Sequence, residues 1–599
     1  MCGIYVSIAE SEYIKPGKEL EKLLCNRGTD YSGFKEVQIE ANNGKSYNLC
    51  FTSTVLALRG NDINRQPFFD TSSGSVLCWN GEAWKIGQEC VTGNDGKALF
   101  ALLLSASSTE SSSKASAAVR EVISSISGPF AYVFFDKLHQ QLYFGRDRIG
   151  RRSLLRSEFV DRDLLLLSSV ADPTIRPWEE IDASGIYQLS FVEHVVSPVT
   201  SHHSNPFYHI CKHQWTTNDD QHIVSNSPSY SIYLQANHSH QYPSLGNFNS
   251  TIPLTYASLN LQSASVESLR RHLIESLRLR VSNILQLNPS EGSRVRIAIL
   301  FSGGLDCSVL ARIVHDILPA HEDVDLINVA FENPRAINAA KTHSSNKDIN
   351  LHMTATGYEV LENNPYENCP DRKTGRRSLS EIQSICPGRT WRFVAVNIPY
   401  TETLENRQIV MNLIHPHNTE MDLSIAYALY FASRGIGLVS SSPLNGSPYK
   451  TPARILLSGL GADELFGGYV RHSTAFRRMG FEGLLSELSL DINRLGKRNL
   501  GRDDRIMSHW GKEARFPYLD EELVRWAVET LVTEKCGFRL PDDHVESEPA
   551  LEAGKKVLRL LALKLGLCSV AQEKKRAIQF GSRTAKMEIG KVKGTNLIC

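Results

Sequence analysis

The residue best suited to chemistry in this sequence is Cys2, which directly follows the initiator methionine. Removal of Met1 would leave a cysteine whose thiol and free α-amine belong to the same residue. An α-amine titrates near pH ~7.7–8.0, so it can act as the base that activates its own thiol, as the N-terminal amine does for a threonine nucleophile. The sequence therefore predicts an N-terminal nucleophile at Cys2.

Residues that could assist such a nucleophile follow in the same part of the chain. Attack on an amide carbonyl needs an oxyanion hole, and Asn80 and Gly81, at the end of an apolar run, can offer a side-chain amide and a glycine N–H. Arg59 can bind a carboxylate through two parallel hydrogen bonds, and Asp95 can bind an ammonium group. Asn-Gly and Asp-Gly are also common turn sequences, so the prediction depends on finding these residues together.

A second motif, Ser302-Gly303-Gly304-Leu305-Asp306-Cys307-Ser308, lies between an apolar strand and a helix. Adjacent glycines let a backbone close around phosphate oxygens, and the N-terminus of the following helix adds N–H donors and a partial positive charge. The motif lacks the lysine of the G-x-x-x-x-G-K-[ST] phosphate loop. Asp306 is placed to help bind Mg²⁺, which would meet the charge of a pyrophosphate. A tight glycine turn without function is the alternative interpretation.

The elements that must position these residues can be predicted from hydrophobic periodicity. Residues 1–200 contain short apolar or alternating runs between turn residues, which predict an α+β or layered domain. Residues 201–262 are polar and lack periodicity, which predicts a linker or long loop. Residues 263–599 begin with a βαβ rhythm, which predicts a parallel sheet with ligands at the carboxyl ends of its strands. Residues 333–390 look like a polar loop insertion in that domain.

Composition narrows the classes of partner and compartment. Lys+Arg and Asp+Glu are equal at 65 each, so no net charge favours nucleic acid, and no apolar run approaches the ~18 residues of a membrane span. The twelve cysteines form no C-x-x-C pair, which predicts reduced thiols in the cytoplasm rather than a disulfide framework or a zinc site. No secretory signal pattern is present, and a cleavable presequence would be incompatible with Cys2 as nucleophile. The basic tail from Glu573 to Lys593 is interpreted either as close to a phosphate or as a solvated face, and the solvated face is favoured.

In this order, the early segments resemble the class II glutamine amidotransferase domain, an N-terminal-nucleophile sandwich, over about residues 1–200. The resemblance implies that glutamine is hydrolysed at Cys2, with Asn80 and Gly81 binding the substrate and stabilising its tetrahedral oxyanion. It also implies that Arg59 and Asp95 hold the backbone groups of glutamine. Further matching segments are Arg27-Gly28-Thr29-Asp30, Gln66-Pro67, Asn80-Gly81-Glu82, Gly128-Pro129-Phe130-Ala131 and Gly145-Arg146-Asp147-Arg148-Ile149-Gly150-Arg151.

The glycine motif resembles the SGGxDS loop of N-type ATP pyrophosphatases, which split ATP into AMP and pyrophosphate while adenylating a substrate. The segment from Ser458 to Tyr469 is similar to a signature of asparagine synthetases, and the resemblance covers about 265–585. It implies that Asp306 and Asp463 share Mg²⁺–pyrophosphate and that Lys555 contacts the phosphates in the transition state. The ATP-binding residues that it implies are Leu300, Ser302, Gly303, Gly304, Asp306, Ser308, Ser458 and Gly459.

A glutaminase followed by an ATP pyrophosphatase is the architecture of the glutamine-hydrolysing asparagine synthetase family, and the chain most resembles a divergent eukaryotic branch of it. The resemblance implies ATP and Mg²⁺ as cofactors and glutamine, aspartate and ATP as substrates, without nucleic acid or membrane. It also implies an internal tunnel that keeps ammonia unprotonated, and it is compatible with a homodimer.

The sequence departs from the family at several positions. Leu460 replaces a glutamate that lies near the acyl-adenylate, Cys307 replaces a serine, and the 333–390 insertion falls where the acceptor pocket should be built. Thr29 and Arg148 replace prolines at scaffold positions. Three hypotheses remain: an asparagine-forming amidotransferase, an amidotransferase with another carboxylate acceptor, and a nucleotide-binding regulatory protein that has lost synthesis.

Overall fold

The computed structural model divides the chain into two compact units. The first comprises Met1–Asn247 and Arg494–Gly511, and the second comprises Phe248–Asn493 and Lys512–Cys599. None of the helices in the described ranges is both long and apolar enough to cross a membrane. The residues that the structure describes are 2–10, 12–40, 45–60, 62–159, 163–191, 208–215, 245–253, 258–282, 284–285, 294–338, 364–439, 446–539, 551–587 and 593–598.

Strands predominate in the described residues up to 215, and helices predominate beyond them. The strands are β1 Gly3–Ala9, β2 Tyr31–Glu40, β3 Ser46–Val55, β4 Phe68–Phe69, β5 Val76–Gly81, β6 Lys85–Ile86, β7 Glu89–Cys90, β8 Ile126–Ser127, β9 Phe130–Asp136, β10 Gln141–Arg146, β11 Leu155–Phe159, β12 Leu164–Ser168, β13 Glu179–Glu180, β14 Gly185–Phe191, β15 Tyr208–Gln214, β16 Val295–Leu300, β17 Asp323–Phe331, β18 Trp391–Ile398, β19 Ile436–Val439, β20 Ser447–Lys450, β21 Ile455–Leu457 and β22 Glu513–Arg515. The helices are α1 Lys18–Arg27, α2 Asp95–Ala106, α3 Ser112–Ser124, α4 Ala264–Val281, α5 Leu305–Ile317, α6 Pro370–Ile385, α7 Tyr400–Glu405, α8 Arg407–Ile414, α9 Glu420–Arg434, α10 Ala462–Phe466, α11 Val470–Arg498 with a break at Met479 and Gly480, α12 Leu500–Ser508, α13 Glu521–Glu529, α14 Lys556–Lys564, α15 Cys568–Ala571 and α16 Ile578–Gly581.

Two six-stranded antiparallel sheets form the frame of the first unit, in the orders β13-β11-β12-β1-β3-β2 and β15-β14-β10-β9-β5-β4. Side chains alternate between the faces of a strand. On β5, Val76 and Cys78 join the apolar core with residues of the first sheet, whereas Leu77 and Trp79 pack in a second core with side chains of α2 and α3. The same alternation directs Asn80 to the face that Val76 and Cys78 share.

The layered α+β arrangement predicted for residues 1–200 is present, but the predicted linker is wrong in one described stretch. Residues 208–214 form β15, which pairs along its whole length with β14. The inward residues Tyr208 and Ile210 are buried in the core between the sheets. Residues 201–207, 216–244 and 254–257 of the predicted linker lie outside the described residues.

The second unit is built on a seven-stranded mixed sheet in the order β20-β19-β18-β17-β16-β21-β22. The five strands from β18 to β22 in that order run parallel, as predicted, but β19 and β20 form an antiparallel hairpin edge. Because β16 and β21 are parallel neighbours, the loops that follow their carboxyl ends meet at one edge of the sheet.

The predicted loop insertion at 333–390 is wrong where the structure describes its second half. Residues 370–385 form α6, which begins with Pro370 at its first position, where the missing N–H costs nothing. The helix buries Ser378 and Ile382 and packs on β17 and α5. Residues 339–363 of the predicted insertion lie outside the described residues.

Candidate active sites

In the first unit, Cys2 is a buried residue held through its backbone and its thiol. Its N–H donates to Asn80 Oδ1 at 3.0 Å, and its carbonyl accepts from Arg27 Nε at 3.3 Å. The Nε2 of Gln66 lies 3.7 Å from the Cys2 sulfur, and the Oε1 of the same side chain accepts from the backbone N–H of Trp79 at 2.8 Å. Removal of Met1 would turn the nitrogen facing Asn80 into an α-amine beside the thiol.

The Asn80 amide is oriented by this contact. Its Oδ1 is occupied, and its buried Nδ2 has no hydrogen-bond partner within the described part of the chain. An unsatisfied buried donor costs about 1–3 kcal/mol, so an oxyanion there would satisfy a group that already lacks a partner. The adjacent Gly81 packs tightly, because a Cβ at this position would lie 2.6 Å from the Phe130 Cβ and the Pro129 carbonyl oxygen.

Arg59 and Asp95 both bind the backbone of Ala83, so both already have protein partners. Arg59 donates to the carbonyl of Ala83 at 2.7 Å and to that of Val91, and its guanidinium is 3.6 Å from Glu82 Oε2. Asp95 is buried and accepts from Trp79 Nε1 at 3.0 Å and from the Ala83 N–H at 2.8 Å. Burial raises the pKa of Asp95, against the lowering effects of the Ala83 hydrogen bond and the Arg59 charge.

These contacts place two residues in the site that the sequence analysis had not assigned a role. Gln66 reaches the thiol, and the buried Glu82 carboxylate lies 3.6 Å from Arg59. Both belong to segments whose resemblance was recognised. Gln66 is oriented by the Trp79 N–H and Glu82 lies beside Arg59, and such contacts between distant residues are absent from local sequence pattern.

In the second unit, the glycine loop after β16 is fixed against α6. Gly303 has a φ of +78°, and a Cβ there would lie 2.5 Å from both the Cα and the nitrogen of Gly375. The Ser378 hydroxyl donates to the Gly303 carbonyl at 2.6 Å. Gly304 is the N-cap of α5 and makes no side-chain cap hydrogen bond, so no capping side chain at this position competes with a phosphate for the first N–H groups of the helix.

The other predicted nucleotide residues surround the same loop. Leu300 is the last residue of β16, and Ser302 accepts from the Gly304 N–H at 3.3 Å. The buried Ser308 Oγ has no hydrogen-bond partner among the described residues. The loop after β21 contributes Gly459, because a Cβ at this position would lie 2.9 Å from the Asp306 Cβ.

Leu460 and Ser458 complete this second loop. The Leu460 N–H lies 3.3 Å from the Ser458 Oγ, and the Leu460 side chain is half-buried. Leu460 therefore provides an apolar group where the resembling family has a glutamate carboxylate. Cys307 directs its thiol to the Gly304 carbonyl at 3.3 Å, so its sulfur is occupied within the glycine loop.

Two carboxylates and two lysines form a charged cluster beside these loops. Lys555 Nζ lies 2.7 Å from Asp306 Oδ2 and 2.6 Å from Asp463 Oδ1, and Lys575 Nζ contacts Asp463 Oδ2. Burial opposes ionisation of Asp463, but the charges of the two lysines outweigh it and hold the pKa of this carboxyl well below its usual range. Burial by itself would lower the pKa of Lys575. The negative charge of Asp463 has the opposite and larger effect, so the pKa of Lys575 is raised.

This cluster fits a magnesium ion bound together with a substrate. Mg²⁺ is usually held by one or two carboxylates plus substrate phosphates and waters. Asp306 and Asp463 already share one cation, the Lys555 ammonium. No group of three or more His, Cys, Asp or Glu side chains within the described ranges is arranged to hold a metal without a substrate.

The interpretation of the C-terminal tail as a solvated face is wrong for Lys575, whereas Arg576 is exposed. Lys575 lies in the charged cluster, and Arg576 Nη1 reaches Asp371 Oδ1 at 3.5 Å on α6. Burial raises the pKa of Asp371 to about 7. The spacing of the tail gives no helical or strand periodicity, and only the fold reveals that it crosses the carboxyl edge of the sheet, where the Phe331 N–H donates to the Ser582 carbonyl at 3.0 Å.

The two sites define a protein class in which a glutamine amidotransferase domain is joined to an asparagine synthase domain. Residues 1–222 match the family model described as "Glutamine amidotransferase domain", and residues 482–593 match the one described as "Asparagine synthase". The chain belongs to the family of asparagine synthetase domain-containing protein 1.

Similarity to members of this family extends over almost the whole chain. The mouse protein of that name is 34% identical over 98% of this chain and 97% of its own length, and the human protein is 31% identical over 98% and 96%. Asparagine synthetase [glutamine-hydrolyzing] 1 of Saccharomyces cerevisiae is 21% identical over 89% of this chain and 77% of its own. Among solved structures, a glutamine phosphoribosylpyrophosphate amidotransferase from B. subtilis matches with a TM-score of 0.26 and 11% identity, over 66% of this chain and 81% of that one. That likeness is too distant to inform the fold.

Proposed function

We propose that the protein is a glutamine-dependent amidotransferase that uses ATP to convert a carboxylate into an amide. The proposal is supported by the occurrence of two sites in one chain. The first has a buried cysteine near the N-terminus beside an asparagine amide without a hydrogen-bond partner among the described residues. The second has two glycine loops flanked by carboxylates that pair with lysines. Family membership supports the same pair of half-reactions.

In the first half-reaction, the Cys2 thiol attacks the side-chain amide carbon of glutamine. The thiol proton passes to the α-amine of the same residue, and the tetrahedral oxyanion is bound by Asn80 Nδ2 and the Gly81 N–H. Cleavage of the C–N bond releases ammonia, which takes up that proton, and leaves a thioester at Cys2. Water then hydrolyses the thioester to glutamate and regenerates the thiol. Arg59 and the nearby carboxylates hold the backbone groups of glutamine.

In the second half-reaction, an acceptor carboxylate attacks the α-phosphorus of ATP and displaces pyrophosphate. Lys555 and Lys575 balance the charge on the departing oxygens, and the glycine loop and the start of α5 bind the phosphates. Mg²⁺ held by Asp306 and Asp463 would supply further charge neutralisation at the pyrophosphate. Ammonia then attacks the acyl carbon, AMP leaves with the C–O bond electrons, and the surplus proton is released to solvent.

Aspartate is the acceptor that the family resemblance favours, with asparagine as the product. One observation favours a different carboxylate: Leu460 occupies the position of the family glutamate, and a leucine can neither accept a proton nor bind ammonium. Asp371, near the start of α6, and Arg576 form an additional charged pair at 3.5 Å within the second unit.

The test is pyrophosphate release by the protein lacking Met1, with ATP, Mg²⁺ and glutamine, in the presence and absence of aspartate. Stimulation by aspartate, together with a Cys2→Ala variant that responds only to ammonia and detection of asparagine among the products, supports asparagine synthesis. Glutamate formation without aspartate stimulation transfers the proposal to another carboxylate, to be identified by screening acids for ATP-dependent pyrophosphate release. Absence of both glutamate and pyrophosphate formation would reject the enzyme and leave the regulatory hypothesis.

A further inference from the structure

The glutaminase unit contains a segment from the far end of the chain. Residues 494–511, which follow the second glycine loop in sequence, belong to the first unit rather than to the second. Their helix α12 buries all nine of its residues. It approaches β13 so closely that a Cβ on Gly501 would overlap the Glu180 carboxylate. The glutaminase unit is therefore incomplete without residues supplied by the C-terminal half of the chain.

Two side chains of α12 bind Arg27, which in turn binds the nucleophile. Asp504 Oδ2 accepts from Arg27 Nη2 at 2.8 Å, and Ser508 Oγ accepts from Arg27 Nη1 at 2.6 Å. The third guanidinium direction, Nε, donates to the Cys2 carbonyl at 3.3 Å. Arg27 and Asp504 are almost fully buried, with side chains 2% and 0% exposed, so water cannot replace either partner.

The geometry of Cys2 explains why this chain of contacts matters. After removal of Met1, Cys2 would be a terminal residue, and ladder pairing of β1 starts only at Gly3. The position of its thiol then depends on the Gln66 contact with the sulfur and on the hydrogen bonds that hold its two backbone polar groups, one to Asn80 and one to Arg27. Loss of the second contact would let the peptide plane rotate and carry the thiol away from the oxyanion site.

We propose that Asp504 and Ser508 are positioning residues for the glutaminase reaction, acting through Arg27 on the carbonyl of Cys2. This inference rests on the proposed glutaminase function and deepens it, because it makes part of the C-terminal half a required component of the N-terminal active site. A buried ion pair that merely stabilises the unit is the alternative that the experiment must separate.

The structure offers a matched control in the same segment. Glu180 accepts from Arg505 Nη1 of α12 at 3.1 Å and lies 3.4 Å from Arg146 Nη1. This pair is also largely buried and also joins α12 to the sheets. Glu180 pairs with Arg146 and Arg505, and Arg505 donates to the Ser153 hydroxyl at 2.8 Å, so these bonds are directed away from the carbonyl of Cys2. Asp504→Asn and Glu180→Gln therefore each remove one buried charge, and only the first of them removes the charge that faces Arg27.

The experiment measures glutamate formation by the full-length, Met1-processed protein and its Asp504→Asn and Glu180→Gln variants, with thermal unfolding recorded for each. We expect Asp504→Asn to lower kcat by about tenfold to a hundredfold with KM changed by less than about threefold, since misplacing a reacting group affects the transition state more than substrate binding. Glu180→Gln should lower the unfolding temperature to a similar extent while kcat stays within about twofold of wild type. Equal losses of kcat in the two variants, or an unchanged kcat in Asp504→Asn, would overturn the proposal.

Two further arms keep the result interpretable. If Asp504→Asn does not fold, Ser508→Ala removes only the hydroxyl that accepts from Arg27, and its kcat decides: a loss beyond about threefold supports positioning, and a smaller change rejects it. If wild-type protein forms no glutamate, the proposed glutaminase fails by itself. The positioning of Cys2 is then judged from its alkylation rate with iodoacetamide, read on the N-terminal peptide by mass spectrometry. A rate shifted by Asp504→Asn but not by Glu180→Gln supports the proposal, and equal rates reject it.

Discussion

At the scale of single residues, Asn80 links the two parts of the first site. Its Oδ1 holds the nitrogen of Cys2, and this contact leaves Nδ2 unsatisfied and buried beside the nucleophile. We expect Asn80→Ala to lower kcat for glutamine hydrolysis by about a hundredfold to a thousandfold, as removal of one oxyanion donor typically does. Ammonia-dependent pyrophosphate release should be unaffected, because Asn80 plays no part in it. A variant that retained wild-type glutaminase kcat would show that the oxyanion is stabilised elsewhere.

Lys575 illustrates how a charged tail can conceal a site residue. It contacts Asp463 in the cluster, whereas its neighbour Lys574 is exposed. We expect Lys575→Met to lower ammonia-dependent pyrophosphate release by about two orders of magnitude, because one positive charge at the leaving oxygens is lost. Lys574→Met carries the same change in composition and should keep the rate within about twofold of wild type. Equal behaviour of the two variants would remove Lys575 from the mechanism.

Asp371 predicts a dependence of stability on pH. Burial raises its pKa to about 7, whereas an aspartate in an unfolded chain titrates near pH ~3.9. Between these values the folded state retains a proton that the unfolded state has lost, so this group stabilises the fold at low pH and loses that contribution as pH rises toward 7. Asp371→Asn should therefore gain stability relative to wild type from about pH 4.5 to about pH 7.5, by a few kcal/mol at most. Thermal unfolding midpoints measured across this range test it, and parallel profiles for the two proteins would contradict it.

At the scale of elements, the glycine loop and α6 depend on each other. Gly303 and Gly375 approach too closely for a Cβ on Gly303, and Gly303 also has a positive φ. Gly303→Ala should cost about 1–2 kcal/mol for the backbone conformation and a further ~1–3 kcal/mol for overpacking, and it should weaken ATP binding. Gly388→Ala is the control, because Gly388 has a φ of +79° but nothing within 4 Å of its added Cβ. Similar destabilisation in both variants would mean that the loop and α6 are not tightly packed.

The elements also show which parts of the architecture are readable from sequence. The order of strand, loop and helix in the β16–loop–α5 unit is predicted correctly because its signals are local: an apolar strand, a glycine pair and a helical period. β15 was missed because a short edge strand is stabilised by its pairing with β14, and α6 because Gly375 and a run of charged residues hide its periodicity. In both cases tertiary packing decided the structure against weak local preference.

At the scale of the whole molecule, neither the sequence boundaries nor the family matches reveal that residues 494–511 belong to the first unit. The residues themselves resemble the synthetase family, so the sequence analysis assigned them to the C-terminal domain. The reason that they could not be reassigned is physical: the charges of Asp504 and Arg505 are matched by Arg27 and Glu180, which are more than three hundred positions away in the chain.

The shared segment predicts that the chain cannot be divided at the boundary that its sequence indicates. A fragment of residues 1–247 would retain Arg27 in a buried position without Asp504, and removal of one partner of a buried pair typically costs about 3–5 kcal/mol. We expect this fragment to unfold at a lower temperature than the first unit of the full chain and to hydrolyse glutamine poorly. A synthetic peptide of residues 494–511 added in trans should raise its unfolding temperature, whereas the same peptide carrying Asp504→Asn should raise it less. Removal of a segment that completes a core leaves buried charges and apolar contacts unsatisfied. A fragment that matched the full chain in both stability and glutaminase activity would therefore show that the first unit does not require α12.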